Sequence, residues 1–292
     1  MIIDGKLIAA QIQNEIKQEL TKRPGRRPCL AVVLVGNHPA SLLYVERKRK
    51  ACAEVDILSV KNHLPLNTSE ATLIEEIEKL NLDNTVDGIL LQLPLPAHIN
   101  PIKVIRHIAP HKDVDGLHPA NIGKLLIGDK DTFAPCTPQG IKVMLERSGV
   151  EVAGKHALII GRSNLVGKPM AAILMQSAPG GNATVTVAHS RTANLKALSL
   201  MADIIIAAIG QPLFVTADMI KDGAVVIDVG INKIEDKTRT AGYRIVGDVD
   251  FDNVKGKCSF ISPVPGGVGP MTIAMLLSNT LHAYSSKDLN RT

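Results

Sequence analysis

The chain has 292 residues, 45% hydrophobic and 21% charged, a length and balance that suit a two-domain enzyme with a large buried core. Aromatic residues make up 2% and tryptophan is absent, so stacking platforms for nucleic acid are not expected, and a formal charge of +5 is compatible with small anionic ligands. The four cysteines (Cys29, Cys52, Cys136, Cys258) are far apart and lack C-x-x-C spacing, so reduced thiols rather than a disulfide framework are expected, and no metal site is expected.

In chain order, Leu7, Ile8, Ile12, Ile16 and Leu20 predict one apolar face of an opening helix. Leu30-Ala-Val-Val-Leu-Val35 reads as a buried strand closed by Gly36-Asn-His-Pro39. A helix is expected from Ala40 to Glu54, a strand over Ile57–Leu64, and a helix marked by Leu73, Ile74, Ile77 and Leu80. Val86–Leu91 is the next strand, stopped by Pro94 and Pro96. His107 and His111 have i, i+4 spacing, but Pro110 between them argues against a continuous helix. Thr137 before Pro138 reads as a helix start, and that helix, to Arg147, is expected to link two domains.

The second half alternates in the same way. Ala157-Leu-Ile-Ile160 is an apolar strand, followed by a glycine turn and a helical run carrying Val166, Met170, Ile173 and Leu174. Strand, turn and helix form the corner at which dinucleotide folds hold a pyrophosphate on free N–H groups, or else an ordinary strand-to-helix turn. The pattern is Gly161-x-Ser163-x-x-x-Gly167, with Ser163 where the second glycine of G-x-G-x-x-G stands. Ala183–Val187, Ala202–Ala208 and Gly223–Val229 are further β-branched runs, so a doubly wound parallel sheet is expected. After Ala183–Val187, the second strand counted from Ala157–Ile160, stand His189-Ser-Arg-Thr192 and no carboxylate. With Arg162 in the first turn, that pattern suits the extra phosphate of NADP, the alternative for Arg162 being a solvated turn residue.

Several side chains have the types that chemistry needs. Tyr44 and Lys48 share one face of the second helix, as a proton-transfer pair or as a pair covering apolar surface. Gln92 follows a strand, where its amide could orient the lysine or a ligand, or simply satisfy the loop. Lys112-Asp-Val-Asp-Gly116 is either a glycine-closed turn or a ligand-binding carboxylate, and lacks the remaining positions of a calcium loop. Ser262-Pro-Val-Pro-Gly-Gly-Val-Gly-Pro-Met-Thr272 combines rigid prolines with glycines that permit close approach. An apolar helix, Met271–Leu281, follows and is expected to return to the first domain.

Taken together, these residues resemble the bifunctional methylenetetrahydrofolate dehydrogenase/cyclohydrolases, the FolD family. The likeness runs from Asp4-Gly5 to Asn279-Thr280. It is carried by Ala40-Ser41 with Tyr44-Val45 and Lys48, Gln92-Leu-Pro-Leu-Pro96, Lys112–Gly116 and Pro135-Cys-Thr-Pro138. Gly161-Arg-Ser163 with Val166-Gly167 and Pro169, Gly247-Asp-Val249, and Pro263–Thr272 complete it. The resemblance implies two α/β domains with a folate cleft between them. One is an N-terminal catalytic domain of residues 1–139 completed by a C-terminal helix over 270–292, the other a Rossmann-like NADP domain of residues 140–269. It implies oxidation of 5,10-methylenetetrahydrofolate with NADP to the methenyl cation, then hydrolysis to 10-formyltetrahydrofolate, within one-carbon metabolism. Lys48 would be the key cyclohydrolase residue, with Tyr44, Gln92 and Asp115 beside it. Leu91, Leu93 and the loop of Pro265, Gly266, Gly267, Val268 and Gly269 would contact folate. Gly161, Arg162, Ser163, Ser190 and Ile231 would hold NADP. It also implies a homodimer, with tetrahydrofolate derivatives as the small-molecule partners.

Three positions depart from the family pattern: Asp56 where glycine is common, Ala188 in place of a frequent cysteine, and a longer loop at Ala178–Asn182. Other readings of the same residues are another NAD(P)-dependent dehydrogenase and a non-catalytic dinucleotide sensor. No apolar run is long enough to span a membrane, and Met1-Ile-Ile-Asp4 does not begin a signal peptide, so a cytoplasmic enzyme is expected.

Overall fold

The structure is a computed structural model and describes residues 1–239 and 242–289. It divides into two compact units, one of Ala10–Cys136 with the residues from Ile273 onward, the other of Met1–Ala9 and Thr137–Thr272.

In chain order the elements of the first half are α1 (Gly5–Lys22), β1 (Cys29–Val35), α2 (Pro39–Glu54), β2 (Leu58–Leu64), α3 (Glu70–Leu82), β3 (Gly88–Leu91), α4 (Pro101–Ile105), α5 (Pro119–Ile127) and α6 (Cys136–Arg147). The three strands form a parallel sheet in the order β2-β1-β3. Every residue of β1 is buried, on both alternating faces, as expected for a central strand covered on two sides. Along α1 the buried stripe is Ile8, Ile12, Ile16 and Leu20, whereas Leu7 is 57% exposed. Leu7 and Ile8 differ by a full helical step of about 100°, so a narrow core stripe cannot take both. Helices α4 and α5 lie outside the elements expected from the sequence. Their starts were nevertheless written in the sequence: Asn100 accepts from the N–H groups of Ile102 and Lys103, His118 from that of Ala120, and proline follows each cap.

The second half contains β4 (His156–Ile160), α7 (Gly167–Met175), β5 (Thr184–Ala188), α8 (Leu195–Met201), β6 (Ile204–Ala207), β7 (Val225–Asp228), β8 (Asn232–Glu235), β9 (Tyr243–Val246), α9 (Phe251–Val254), β10 (Phe260–Ile261) and α10 (Val268–Leu289). Five strands form a parallel sheet in the order β10-β7-β6-β4-β5. Strands β8 and β9 pair as an antiparallel hairpin that the sequence pattern did not announce. Its strands are short and largely polar, and Asn232, Ile234, Ile245 and Val246 turn from solvent.

The first nine residues do not belong with the strands that follow them in sequence. Ile3 N–H donates to Ile261 O and Ile261 N–H to Met1 O, so the chain start lies along β10 and lengthens the second sheet. The expected 1–139 domain therefore loses its first segment to the other unit, because an edge strand with free backbone groups was available there. At the other terminus, α10 closes the first unit. Tyr284 Oη donates to Arg26 O at 2.9 Å, Lys287 Nζ to Val86 O at 2.7 Å, and His282 meets Phe133 edge-on.

Candidate active site

Both sheets reverse strand order beside a central strand, β1 in one and β4 in the other. Open α/β sheets bind ligands outside the carboxyl ends of the strands at such points. The sequence-predicted site residues fall into two groups on that basis, one per unit.

The first group gathers past the ends of β1 and β3. Gln92 directly follows β3, and its N–H donates to Val33 O of β1 at 2.9 Å, which fixes the start of the loop. Leu91 is buried at the strand end and Leu93 packs on the same core. Lys48 reaches across from α2 and donates from Nζ to Gln92 Oε1 at 3.0 Å, while Gln92 Nε2 donates to Leu93 O at 2.6 Å. Both atoms of the amide are thereby engaged, and its oxygen faces the amine. Tyr44 lies one turn earlier on α2 and is 38% exposed. Burial pulls the Lys48 ammonium below the ordinary lysine range, opposed chiefly by the Asp115 carboxylate. Burial pushes Asp115 up in turn, opposed by Lys48 and by a hydrogen bond with Cys136. The structure thus brings Lys48, Gln92 and Asp115 together, and adds Cys136, which the spacing alone did not place there.

The turn that presents Asp115 rests on its neighbour. Asp113 is buried and accepts from the N–H groups of Leu117 (3.2 Å) and His118 (2.7 Å) and from Asn121 Nδ2 (2.8 Å), so the first carboxylate of Lys112–Gly116 holds the turn. Lys112 Nζ donates to Leu80 O and Asp83 O, and burial pulls it down to about 8. Burial pushes the Asp113 carboxyl up to about 7 against those hydrogen bonds. The folded chain then holds this proton up to about pH 7, whereas the unfolded chain releases it near pH 4, so stability falls as pH rises through that window. We expect the drop in Tm between about pH 5 and about pH 8 to be smaller for Asp113→Asn than for the parent. Identical drops in thermal melts of the two proteins would show that Asp113 is not the linked group.

The second group lies at the ends of β4, β5 and β7. Gly161 has φ +126°, and a Cβ there would overlap Ala208 O past the end of β6. A Cβ on Gly167 would overlap Gly161 O, so both glycines are required by backbone approach at the corner. Ser163 Oγ accepts from Val166 N–H at 3.1 Å, so the residue in place of the second glycine fastens the loop that leads into α7. Arg162 and Ser190 are exposed, and Ile231 is 55% exposed with its Cδ1 3.9 Å from where a Gly269 Cβ would sit. In the Pro265–Gly269 run, Lys6 N–H donates to Gly266 O, and side chains on Gly5 or Gly267 would collide with neighbouring backbone. Part of that glycine content is therefore a packing requirement.

Two buried carboxylates beneath this corner carry more than their sequence positions suggested. Asp228 accepts from the N–H groups of Gly230, Asp248 and Val249, and Asp248 accepts from those of Ile209 and Gly210 and from Asn232 Nδ2. Gly247 and Gly230 leave room for them, since a Cβ on either would overlap a carboxylate oxygen. Burial pushes Asp228 up to about 6 while its donors pull it back. The available signal was an aspartate ending an apolar strand, where a carboxylate has no place unless the backbone around it supplies donors.

Comparison with known proteins completes the picture. A family model described as tetrahydrofolate dehydrogenase/cyclohydrolase, catalytic domain, matches residues 3–115, and its NAD(P)-binding domain matches residues 135–288. The chain belongs to the tetrahydrofolate dehydrogenase/cyclohydrolase family. A bifunctional protein FolD of Protochlamydia amoebophila is 66% identical over 291 residues, 99% of this chain and 100% of the relative. The FolD crystal structure from Campylobacter jejuni has a TM-score of 0.92 at 46% identity, covering 98% of this chain and 99% of that one. A Trypanosoma brucei FolD structure, complexed with NADP cofactor and inhibitor, has a TM-score of 0.92 at 39% identity, with 98% of each chain covered.

The departures from the family pattern have physical readings as well. Asp56, at the place of a common glycine, has φ +65° and pairs with Arg27 Nε at 2.6 Å. An aspartate tolerates the left-handed region better than most residues. In the Ala178–Asn182 loop, Asn182 is likewise left-handed at φ +60° and its Nδ2 donates to Ala178 O.

Proposed function

We propose that Lys48 transfers the protons of the hydrolytic step, that Gln92 orients it, and that Asp115 binds the pterin ring of the substrate. The chain is an NADP-dependent methylenetetrahydrofolate dehydrogenase and methenyltetrahydrofolate cyclohydrolase. The observation that carries the residue assignment is the Lys48 Nζ–Gln92 Oε1 bond in a site that disfavours the ammonium. A neutral amine that donates one hydrogen to Gln92 keeps its lone pair for an attacking water. Water then adds to the methenyl carbon while Lys48 takes its proton. The same proton returns to the ring nitrogen as the carbon–nitrogen bond opens, the formyl carbonyl forms and one proton leaves to solvent. A nearby ammonium would repel the cationic substrate, so the depressed lysine favours this step. Tyr44, on the same helical face, lines the approach, with Leu91 and Leu93 as apolar neighbours of the ring. Pro265, Gly266, Gly267, Val268 and Gly269 complete the folate contacts on the family pattern.

NADP supplies a hydride acceptor when bound. The residues at the β4–α7 corner fit it: two glycines with no room for a side chain, the α7 N-terminus, an exposed guanidinium at Arg162, and Ser190 where a ribose-binding acid would otherwise stand. Gly161, Ser163 and Ile231 would line the remaining cofactor surface. We expect Arg162→Ala to lose mainly the preference for NADP over NAD, read as the ratio of kcat/KM values. An unchanged ratio would remove Arg162 from phosphate recognition.

The assignment as a whole is tested by supplying 5,10-methylenetetrahydrofolate and NADP to the purified protein and following NADPH and the methenyl chromophore together. Cofactor binding without turnover would favour a dinucleotide sensor. The protein is further proposed to work in the cytoplasm as a homodimer. No described helix is long and apolar enough to cross a membrane.

A further inference from the structure

The C-terminal helix carries a polar side chain that the chemistry above does not use. Asn279, on α10, donates from Nδ2 to Val114 O at 2.9 Å and to Ala134 O at 3.3 Å, and lies 3.8 Å from Cys136 Sγ. Val114 immediately precedes Asp115, and Ala134 lies two residues before Cys136. The two stretches are in backbone contact: Gly116 has φ +72°, and a Cβ there would stand 2.5 Å from the carbonyl carbon of Ala134. Cys136 Sγ donates to the same Val114 carbonyl at 3.4 Å and also bonds with the Asp115 carboxyl, so its single proton serves two acceptors of one turn. An amide nitrogen offers two hydrogens from one atom, and here each has a main-chain carbonyl. The result is a three-way brace among the Asp115 turn, the segment entering α6, and α10.

We propose that Asn279 is a positioning residue for the folate reactions, fixing the Val114 and Ala134 carbonyls so that the Asp115 carboxylate stays beside Lys48. This rests on the assignment of Lys48 and Asp115 made above. Removing the Asn279 amide takes its hydrogen bond from the Ala134 carbonyl, leaves the Val114 carbonyl to the Cys136 thiol, and cuts the tie between this turn and α10. The effect on chemistry passes through Asp115, since the groups that Asn279 bonds, the Val114 and Ala134 carbonyls and the Cys136 thiol, brace its turn.

The test is a mutant cycle in the full-length enzyme with Asn279→Ala, Asp115→Asn and the double variant, and with Asn279→Asp, whose carboxylate cannot donate to either carbonyl. Asn279→Ala should lower kcat/KM for the folate substrate at least about fivefold with NADP affinity unchanged, and add little in the Asp115→Asn background. With the Asp115 charge displaced, burial of the Lys48 ammonium is less opposed, so the acid limb of the cyclohydrolase pH profile should move to lower pH. Asn279→Asp should behave at least as badly. Should Asn279→Ala not fold, Asn279→Ser keeps one donor in a smaller side chain and the same cycle is run with it. Equal losses in both backgrounds, or a lower Tm with unchanged kinetics and pH profile, would overturn the positioning role. Full activity of Asp115→Asn would instead remove the Asp115 assignment itself, a failure distinct from an Asn279→Ala without effect beside a damaged Asp115→Asn.

Discussion

Replacement of Lys48 by methionine is expected to abolish cyclohydrolase activity and to leave measurable dehydrogenase activity. Methionine keeps the length and apolar stem of the lysine, so the packing of α2 is retained and only the amine is lost. Addition of water to the methenyl cation needs a proton acceptor in the transition state, and general acid–base groups typically contribute about a hundred- to ten-thousand-fold. Hydride transfer needs mainly the alignment of two bound carbons, to which the Lys48 amine adds no proton. The two rates, measured separately from NADPH formation and from decay of the methenyl chromophore, should part by at least about a hundredfold. Equal, modest losses in both would assign Lys48 to packing, and full hydrolysis in the variant would take it out of the mechanism. Gln92→Leu offers a companion measurement. It removes the acceptor at 3.0 Å without touching the amine, so hydrolysis should fall by a smaller factor.

The second large effect lies in the fold. Asp87 is fully buried and is gripped bidentately by Arg26 at 2.6 and 2.7 Å, by Lys287 at 3.2 Å, and by the Cys29 N–H at 2.9 Å. One carboxylate therefore ties the starts of β1 and β3 to the C-terminal helix. Arg26 also lies over the ring of Tyr284, 4.7 Å from its centroid, so the cation is held from two sides. Asp87→Ala takes the carboxylate away from two cations and from a buried N–H. Removing one partner of a buried ion pair costs about 3–5 kcal/mol. The lower end applies here, because Arg26 and Lys287 are partly exposed and can recover some hydration. Urea unfolding of the variant should show a loss of about 3 kcal/mol at neutral pH. A change within about 0.5 kcal/mol, as for an ordinary surface substitution, would contradict the clamp.

Much of this molecule was legible in its residues. The apolar strands at Leu30–Val35 and Ala157–Ile160 lie in β1 and β4, because a run buried on both faces needs no partner to declare it. Pro110 does separate His107 from the short turn at Pro110–Lys112, and α4 ends at Ile105. The pair Tyr44 and Lys48 was placed on one helical face by spacing alone. The resemblance to a family then distinguished it from the many such pairs that only cover apolar surface. Gly161 and Gly167 were recognisable as a turn pattern, and the structure adds the physical reason, backbone atoms standing where side chains would be.

What the sequence by itself determined were the local matters: which segments are strands and helices, where glycine and proline interrupt them, and which residue types could do acid–base work. Those follow from periodicity and from φ preferences, which act over a few residues. Only the tertiary structure decided which distant residues meet. It moved the first nine residues to the far sheet because β10 offered an open edge, and it returned α10 to close the first unit. It also placed the amide of Asn279 between the carbonyls of Val114 and Ala134. It shifted the ionisation of buried groups as well. Lys48 is depressed, and Asp113 and Asp228 are raised, by burial that no neighbour in sequence reveals. Desolvation depends on the whole shell of atoms around a group, and that shell is assembled from segments far apart along the chain.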